Sequence, residues 1–309
     1  MTLNGAIMQL VEMRENSMMP VMFKPYLDKV IETISECEEP SAQPKKRTEK
    51  RTKTHACDLI SRQAAIDAYV PAKDMNVLIA CEESQRVCMA FRERGHRAYS
   101  CDILECSGGH PEWHIKGDVL PLLNGNCTFV DMTGGVHRIE GKWDMIIAFP
   151  PCTYLSNVAT RQYSLKCCSA EKVIARWEKR AKAAVFFMQF ALANCDKVAI
   201  ENPVGFMNSA YGKADQIIHP YYFAESEADA ENYHKKRTCL WLRGLPTLTR
   251  KTALPEPAPM YICKGEKSNG KKIGWCEGMR NIKGGQAERA KARSKTFPGI
   301  AKAMAEQWG

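Results

Sequence analysis

No run of residues in this chain is apolar for long enough to cross a bilayer. The longest nearly apolar stretch, Ala183 to Ala193, is well short of the ~20 residues a spanning helix needs. No basic head followed by an apolar run stands at the N-terminus, so a cleavable export signal is not expected. No CxxC pair occurs among the fourteen cysteines, which argues against an ordinary structural zinc site. The chain is also too long for a small exported domain stapled by disulfides. Its thiols are therefore read as reduced, most of them packed as small apolar groups. None of the Gly-Gly pairs at 108–109, 134–135 and 284–285 has a phosphate-binding pattern, and no internal repeat is found. These absences leave a soluble, cytoplasmic, monomeric protein without a membrane partner as the expectation.

What is present fits a globular chain. The 309 residues suit one large domain or two ordinary ones. Hydrophobic residues make up 45% and charged residues 26%, which excludes a wholly disordered polymer. The formal charge of +9 is unevenly placed: residues 250–309 hold thirteen Lys/Arg against five Glu, a net +8. A basic face of that kind suits a polyphosphate partner, because each phosphate contact releases counterions. A plain solvated surface could carry the same charges.

Residues 1–42 read as a helical N-terminal extension, with Leu27, Val30, Ile31 and Ile34 at helical spacing. Residues 43–75 read as a basic linker without large apolar residues, then a short helix over 58–69 closed by Pro71. From Asn76 the pattern changes. Apolar runs at 77–80, 96–102, 144–149, 197–200 and 237–242 predict strands. Segments 84–94 and 171–194 predict helices, the second carrying Val173, Ile174, Trp177, Ala181, Ala184, Val185 and Met188 on one face. Alternation of the two gives an α/β fold, a doubly wound, mainly parallel sheet covered on both faces, over residues 76–243. Residues 244–293 form a small basic module. Residues 294–309 return as a helix burying Ile300, Met304 and Trp308. Such sheets bind ligands at the carboxyl ends of their strands. Here those are the places after Ala80, at Asp102, at Pro150 to Asn157, and at Glu201-Asn202.

Two of these ends carry unusual chemistry. In Phe149-Pro-Pro-Cys-Thr-Tyr-Leu-Ser156 the prolines stiffen the chain beyond a buried strand and hold Cys152 at the lip of the sheet. A thiolate there could attack an electrophilic carbon. In Ala199-Ile-Glu-Asn-Pro203 a carboxylate leaves a buried strand partly desolvated, which raises its pKa and suits a general acid. An inert thiol and an Asx-type turn are the plain alternatives.

Together these residues resemble the cytosine-C5 methyltransferases that use S-adenosylmethionine. That family places Pro-Cys after one strand and Glu-Asn after the next, as in Pro151-Cys152 and Glu201-Asn202, with Ser156 at the spacing of its motif serine. His234-Lys-Lys-Arg-Thr-Cys-Leu-Trp-Leu242 is similar to a later basic motif, and Phe297 to Ala305 to its closing helix. The resemblance spans residues 76–309. It implies that Cys152 adds to C6 of a flipped-out cytosine in DNA while Glu201, beside Asn202, donates to N3. Lys235 and Arg237 would hold the base, with Pro151 and Ser156 against the substrate. It further implies an S-adenosylmethionine site in which the loop Cys81, Glu82 and Ser84 meets the methionine part. Asp102 would take the ribose, Asp118 and Val119 would flank the adenine, and Pro150 would close the pocket.

The chain departs from the family at several points. Ala80 to Arg86 contains no glycine, where the family has a glycine-rich loop. Thr153, Pro203 and Lys235 stand where it has Gln, Val and Arg, and Arg and Lys are not equivalent. Only about fifty residues remain for target recognition. Three alternatives are open: modification of RNA or a free nucleotide at a pyrimidine C5, an amino-methyltransferase, and a methyltransferase-like protein that only binds nucleic acid in a regulatory or anti-restriction role. The amino-methyltransferases need no cysteine and place an aromatic residue after their Pro-Pro turn. Cys101, Cys106, His110 and His114 are too compressed for an ordinary zinc site and read as a loop over the cofactor. Cys263 and Cys276 flank a glycine- and lysine-rich stretch that could share a metal. No metal is assigned. Trp143, Trp177 and Trp241 read as core.

Overall fold

The computed structural model describes residues 74–259, 261–264, 270, 272–273 and 292–309. The expected N-terminal extension, the linker with its short helix, Cys276 and most of 260–291 lie outside these.

Seven strands form one sheet in the order β3-β2-β1-β6-β7-β9-β8. They are β1 (Asn76–Ala80), β2 (Arg97–Asp102), β3 (His114–Lys116), β6 (Met145–Ala148), β7 (Val198–Pro203), β8 (Gln216–Ile218) and β9 (Thr238–Arg243). β3, β2, β1, β6 and β7 run parallel, while β9 is antiparallel to both β7 and β8. The chain is thus an α/β protein with a mostly parallel sheet. A separate hairpin pairs β4 (Cys127–Val130) with β5 (Val136–Ile139), and β10 (Tyr261–Ile262) pairs with β11 (Lys272–Ile273). The helices are α1 (Arg86–Glu93), α2 (Ala170–Leu192), the single turn α3 (Met207–Ala210) and α4 (Pro298–Trp308).

The central strands read as continuous apolar runs because both of their faces are covered. Leu78, Ala80, Ile146, Ala148, Val198 and Ile200 face one core with Phe187, Met188 and Phe190 of α2. The alternate residues Val77, Ile79, Met145, Ile147 and Ala199 face the other, with Val87 and Phe91 of α1 and Ile300, Met304 and Trp308 of α4. The apolar spacing of the last residues therefore matches their buried face. Trp308 is fully buried and donates its indole N–H to the Pro246 carbonyl at 3.0 Å. Trp143 and Trp241 are also core, whereas Trp177 is half-buried.

Three local readings need correction. The first helix begins at Arg86, not Ser84, because Gln85 adopts φ 57° and the preceding residues form a turn. On α2 the expected Ile174 is 37% exposed, and Arg180, Phe187, Phe190 and Ala191 are buried instead. The sheet covers only the C-terminal half of that helix. His114 lies in β3 rather than in a loop, fully buried. Its ring nitrogens meet Ser100 Oγ at 2.8 Å and the Leu104 carbonyl at 2.9 Å. Among the described residues no helix is long and apolar enough to cross a membrane, and no cluster of three or more His, Cys, Asp or Glu could hold a metal ion.

Candidate functional site

β6 and β7 are parallel neighbours, so the loops after them emerge side by side. After β6, the Cys152 carbonyl accepts from the N–H groups of Leu155 and Ser156 at 3.1 and 2.9 Å, which folds 152–156 into a turn. Near the end of β7, which runs to Pro203 rather than ending at Ile200, the Asn202 side-chain amide, 1% exposed, donates to the Pro150 carbonyl at 2.8 Å. Further out, Ser156 bridges to Gly205, and the Phe206 N–H donates to the Leu155 carbonyl at 2.7 Å. Gly205 is required there, because a Cβ would lie 2.1 Å from the Leu155 oxygen. Pro150 is buried, while Pro151 and Cys152 are exposed at the lip.

This double tie brings Cys152 within electrostatic reach of Glu201. The mass of protein around the thiol pushes its pKa up, and the charge of Glu201 pushes it further. Lys236 and Arg293 act in the opposite direction. Burial likewise raises the Glu201 carboxyl, and Lys236 lowers it.

The cation facing this pair is therefore Lys236. Lys235 pairs with Glu256, and both Lys235 and Arg237 act on His219, which burial and these two charges push down to about 4. Strand parity explains the arrangement. Glu201 is directly opposite Leu240, and Pro203 opposite Thr238. Alternate residues share a face, so in extended chain Lys236 continues the Glu201 side. Lys235 and Arg237 fall on the other. Counting back from the apolar strand Thr238–Arg243 in twos would have identified Lys236 from sequence. The ammonium lies 5.7 Å from the Phe297 ring centroid and donates to the Arg293 carbonyl at 3.2 Å.

Of the expected cofactor residues, Cys81, Glu82 and Ser84 follow β1 and Asp102 ends β2, while Asp118 and Val119 follow β3 and Pro150 follows β6. Cys81 takes φ 60° after β1, its N–H donating to the Cys101 carbonyl at 2.7 Å. Its thiol is raised by burial and by the neighbouring charges of Asp102 and Asp118, so these three residues share one locality. Asp102 Oδ1 accepts from the Leu104 N–H at 2.9 Å, and Asp118 Oδ1 from the Leu120 N–H at 3.0 Å. Asp118 is exposed, and Val119 beside it is buried. Ser84 is buried at 6% exposure.

Glu82 departs from the pattern of an open anion site. Its two carboxyl oxygens accept from the N–H groups of Val87 and Cys88 at 2.7 and 3.2 Å, capping α1 from within the loop. Helix N-termini attract anions, and this one is already filled. Burial nevertheless pushes the Glu82 pKa up to about 8, against the lowering effect of those two hydrogen bonds. Glu83, also buried, lies close enough to raise it further. Gln85 then pins the 106–110 loop through the His110 carbonyl and N–H at 2.8 and 3.1 Å.

A cavity of about 310 Å³ opens beside α1, lined by Arg86, His234, Lys295 and Phe297 among others. It contains none of the cofactor residues expected from sequence. Models of known protein families and curated proteins offer no match to this chain.

Proposed function

We propose that the chain transfers a methyl group from S-adenosylmethionine to C5 of cytosine in DNA, on a doubly wound core of the Rossmann-like kind. The observation that carries this reading is the Cys152–Glu201 juxtaposition, tied by Asn202 to Pro150 and faced by Lys236. A cysteine faced by a cation and a carboxyl group with a raised pKa, at adjacent strand ends, suit addition of sulfur to an electron-poor ring under acid assistance.

In that mechanism Cys152 Sγ forms a bond to C6 of the cytosine, while Glu201 gives its proton to N3. C5 becomes nucleophilic. C5 would then take the methyl group. Loss of the C5 proton to water, expulsion of the thiolate and return of the N3 proton to Glu201 restore the ring and the enzyme. The raised Glu201 pKa favours the proton-bearing form this step requires, and the Lys236 charge favours the thiolate. Lys236 takes the part that the family resemblance gives to Lys235 and Arg237. The target base has to leave its stack to reach the lip.

S-adenosylmethionine, when bound, supplies an electrophilic methyl group. The donor set at the ends of β1, β2 and β3 suits it: Asp102 would accept from the ribose hydroxyls, and Asp118 and Val119 would flank the adenine. Cys81, Glu82 and Ser84 would line the methionine end, with Pro150 closing the space towards Cys152. Because Glu82 already caps α1, the two buried glutamates suit the ammonium of that end better than its carboxylate.

The test uses purified protein, labelled S-adenosylmethionine and mixed-sequence duplex DNA, with Cys152→Ala alongside. Methylcytosine in the hydrolysate, formed only with Cys152 present, is the expected result. Cofactor binding without transfer to DNA would redirect the reading to RNA or nucleotide. The filled helix N-terminus favours a second reading, a protein that binds nucleic acid without catalysis. Folded protein that binds no S-adenosylmethionine would select it.

A further inference from the structure

The N-terminal half of α2 carries a row of cations that the site described above does not use. Lys172, Arg176 and Lys179 follow one another at spacings of four and three, which places them on one helical face over about 10 Å. The acidic residues of this half, Glu171 and Glu178, lie on a face turned by about a third of a revolution. None of the three cations makes an ion pair among the described residues.

Aromatic rings hold Arg176 and Lys179 in place instead. The Arg176 guanidinium lies 5.2 Å from the Tyr154 ring centroid and 5.0 Å from that of Tyr163, and its Nε has no hydrogen-bond acceptor. Lys179 Nζ is 5.9 Å from the same Tyr154 ring. Tyr154 is two residues from Cys152, so the row begins at the lip that carries the thiol. Cations ordered on ring faces, with no carboxylate to neutralise them, suit an external polyanion.

We infer that Lys172, Arg176 and Lys179 form a track for the phosphodiester backbone of nucleic acid whose base is presented to Cys152. This inference rests on the proposed nucleic-acid substrate and adds the surface that guides it. The row has room for two or three phosphate contacts. Each contact contributes about 0.9 to the slope of log affinity against log salt.

The full chain and a Lys172→Gln, Arg176→Gln, Lys179→Gln variant would be titrated by fluorescence anisotropy with a labelled mixed-sequence duplex, between about 50 and 200 mM salt. A control with the same loss of charge replaces Lys116, Arg138 and Lys142, which lie beside carboxylates at 2.8, 3.6 and 3.6 Å. The expected result is a slope shallower by about 2–3 in the helix variant, with affinity near 0.1 M salt reduced about a hundredfold, and a much smaller change in the control. Equal slopes for wild type and helix variant would overturn the track. So would equal losses in both variants, which would show an effect of net charge. If the triple variant does not fold, Lys172→Gln with Lys179→Gln, both at exposed positions, should lose about 1–2 of the slope. Wild type that binds no duplex would remove the track together with the DNA reading. A shallower slope in a protein that transfers no methyl group would keep the track and remove the proposed reaction.

Discussion

The side-chain amide of Asn202 donates to the carbonyl of Pro150 at 2.8 Å, joining the ends of two neighbouring parallel strands by one buried bond. Without it, the Pro150 carbonyl would have to find another donor or remain unpaired. Losing a buried partner costs about 1–3 kcal/mol, and a domain of this size loses about 2–4 °C of Tm per kcal/mol. Asn202→Ala should therefore melt several degrees lower. Because Cys152 follows Pro150 by two residues, its alkylation by iodoacetamide should also change in rate. A lower Tm with unchanged alkylation would limit Asn202 to a stabilising role.

The outer tie depends on Gly205. A methyl group there would lie 2.1 Å from the Leu155 oxygen, so Gly205→Ala has to push the two loops apart. Overpacking of this kind costs about 1–3 kcal/mol. Gly117→Ala is the matched control, since a Cβ at that position meets nothing within 4 Å. Faster proteolytic cleavage between residues 157 and 168 is expected in the first variant and not in the second.

Much of this architecture is legible in the residues themselves. Continuous apolar runs mark β1, β6 and β7, and the prolines at 150 and 151 show where β6 ends, whereas pairing with β9 carries β7 past the acid at 201 to Pro203. The three-residue strands β3 and β8 are too short for a periodic signal, and pairing with long neighbours decides them. His114 reads as a loop residue by composition, yet Ser100 and the Leu104 carbonyl satisfy both its ring nitrogens inside the protein. At the site, residue types point to Cys152 and Glu201, but the cation facing them follows from strand parity. The cap made by Glu82 is hidden for a different reason. A carboxylate in a loop reads as exposed until Cys81 and Gln85, both at positive φ, turn the chain back over α1.

The opposed charges around Cys152 make its reactivity tunable in both directions. Lys236 lowers the thiol pKa and Glu201 raises it. Lys236→Gln should move the pH profile of Cys152 alkylation to higher pH and slow the reaction at pH 8. Glu201→Gln should move it to lower pH and speed the reaction. Mass spectrometry of the peptide containing Cys152 separates it from the other thiols. Profiles that shift in the same direction would mean that the substitutions act through access to the thiol rather than through its charge.

Glu82 gives stability a pH dependence of known sign. Its pKa is about 8 in the folded chain, raised chiefly by burial from an ordinary 4.5. Between those values the folded state holds a proton that the unfolded chain has released, so stability falls as pH rises, by at most about 1.4 kcal/mol per unit. Below that window both states are protonated, and above it both are ionised, so the contribution is flat at either end. Glu82→Gln keeps an oxygen to accept from the Val87 N–H but cannot ionise. Its urea midpoint should fall less between pH 5 and pH 8 than that of the wild type, with the gain over wild type greatest at pH 8. Glu201, also raised by burial, adds a slope of the same sign that both proteins share, so the difference between them isolates Glu82. Parallel slopes would mean that Glu82 is ionised in the folded chain throughout this range. The N–H groups of α1 would then outweigh burial in setting its charge, and the loop would present a carboxylate rather than a carboxylic acid to any bound ligand.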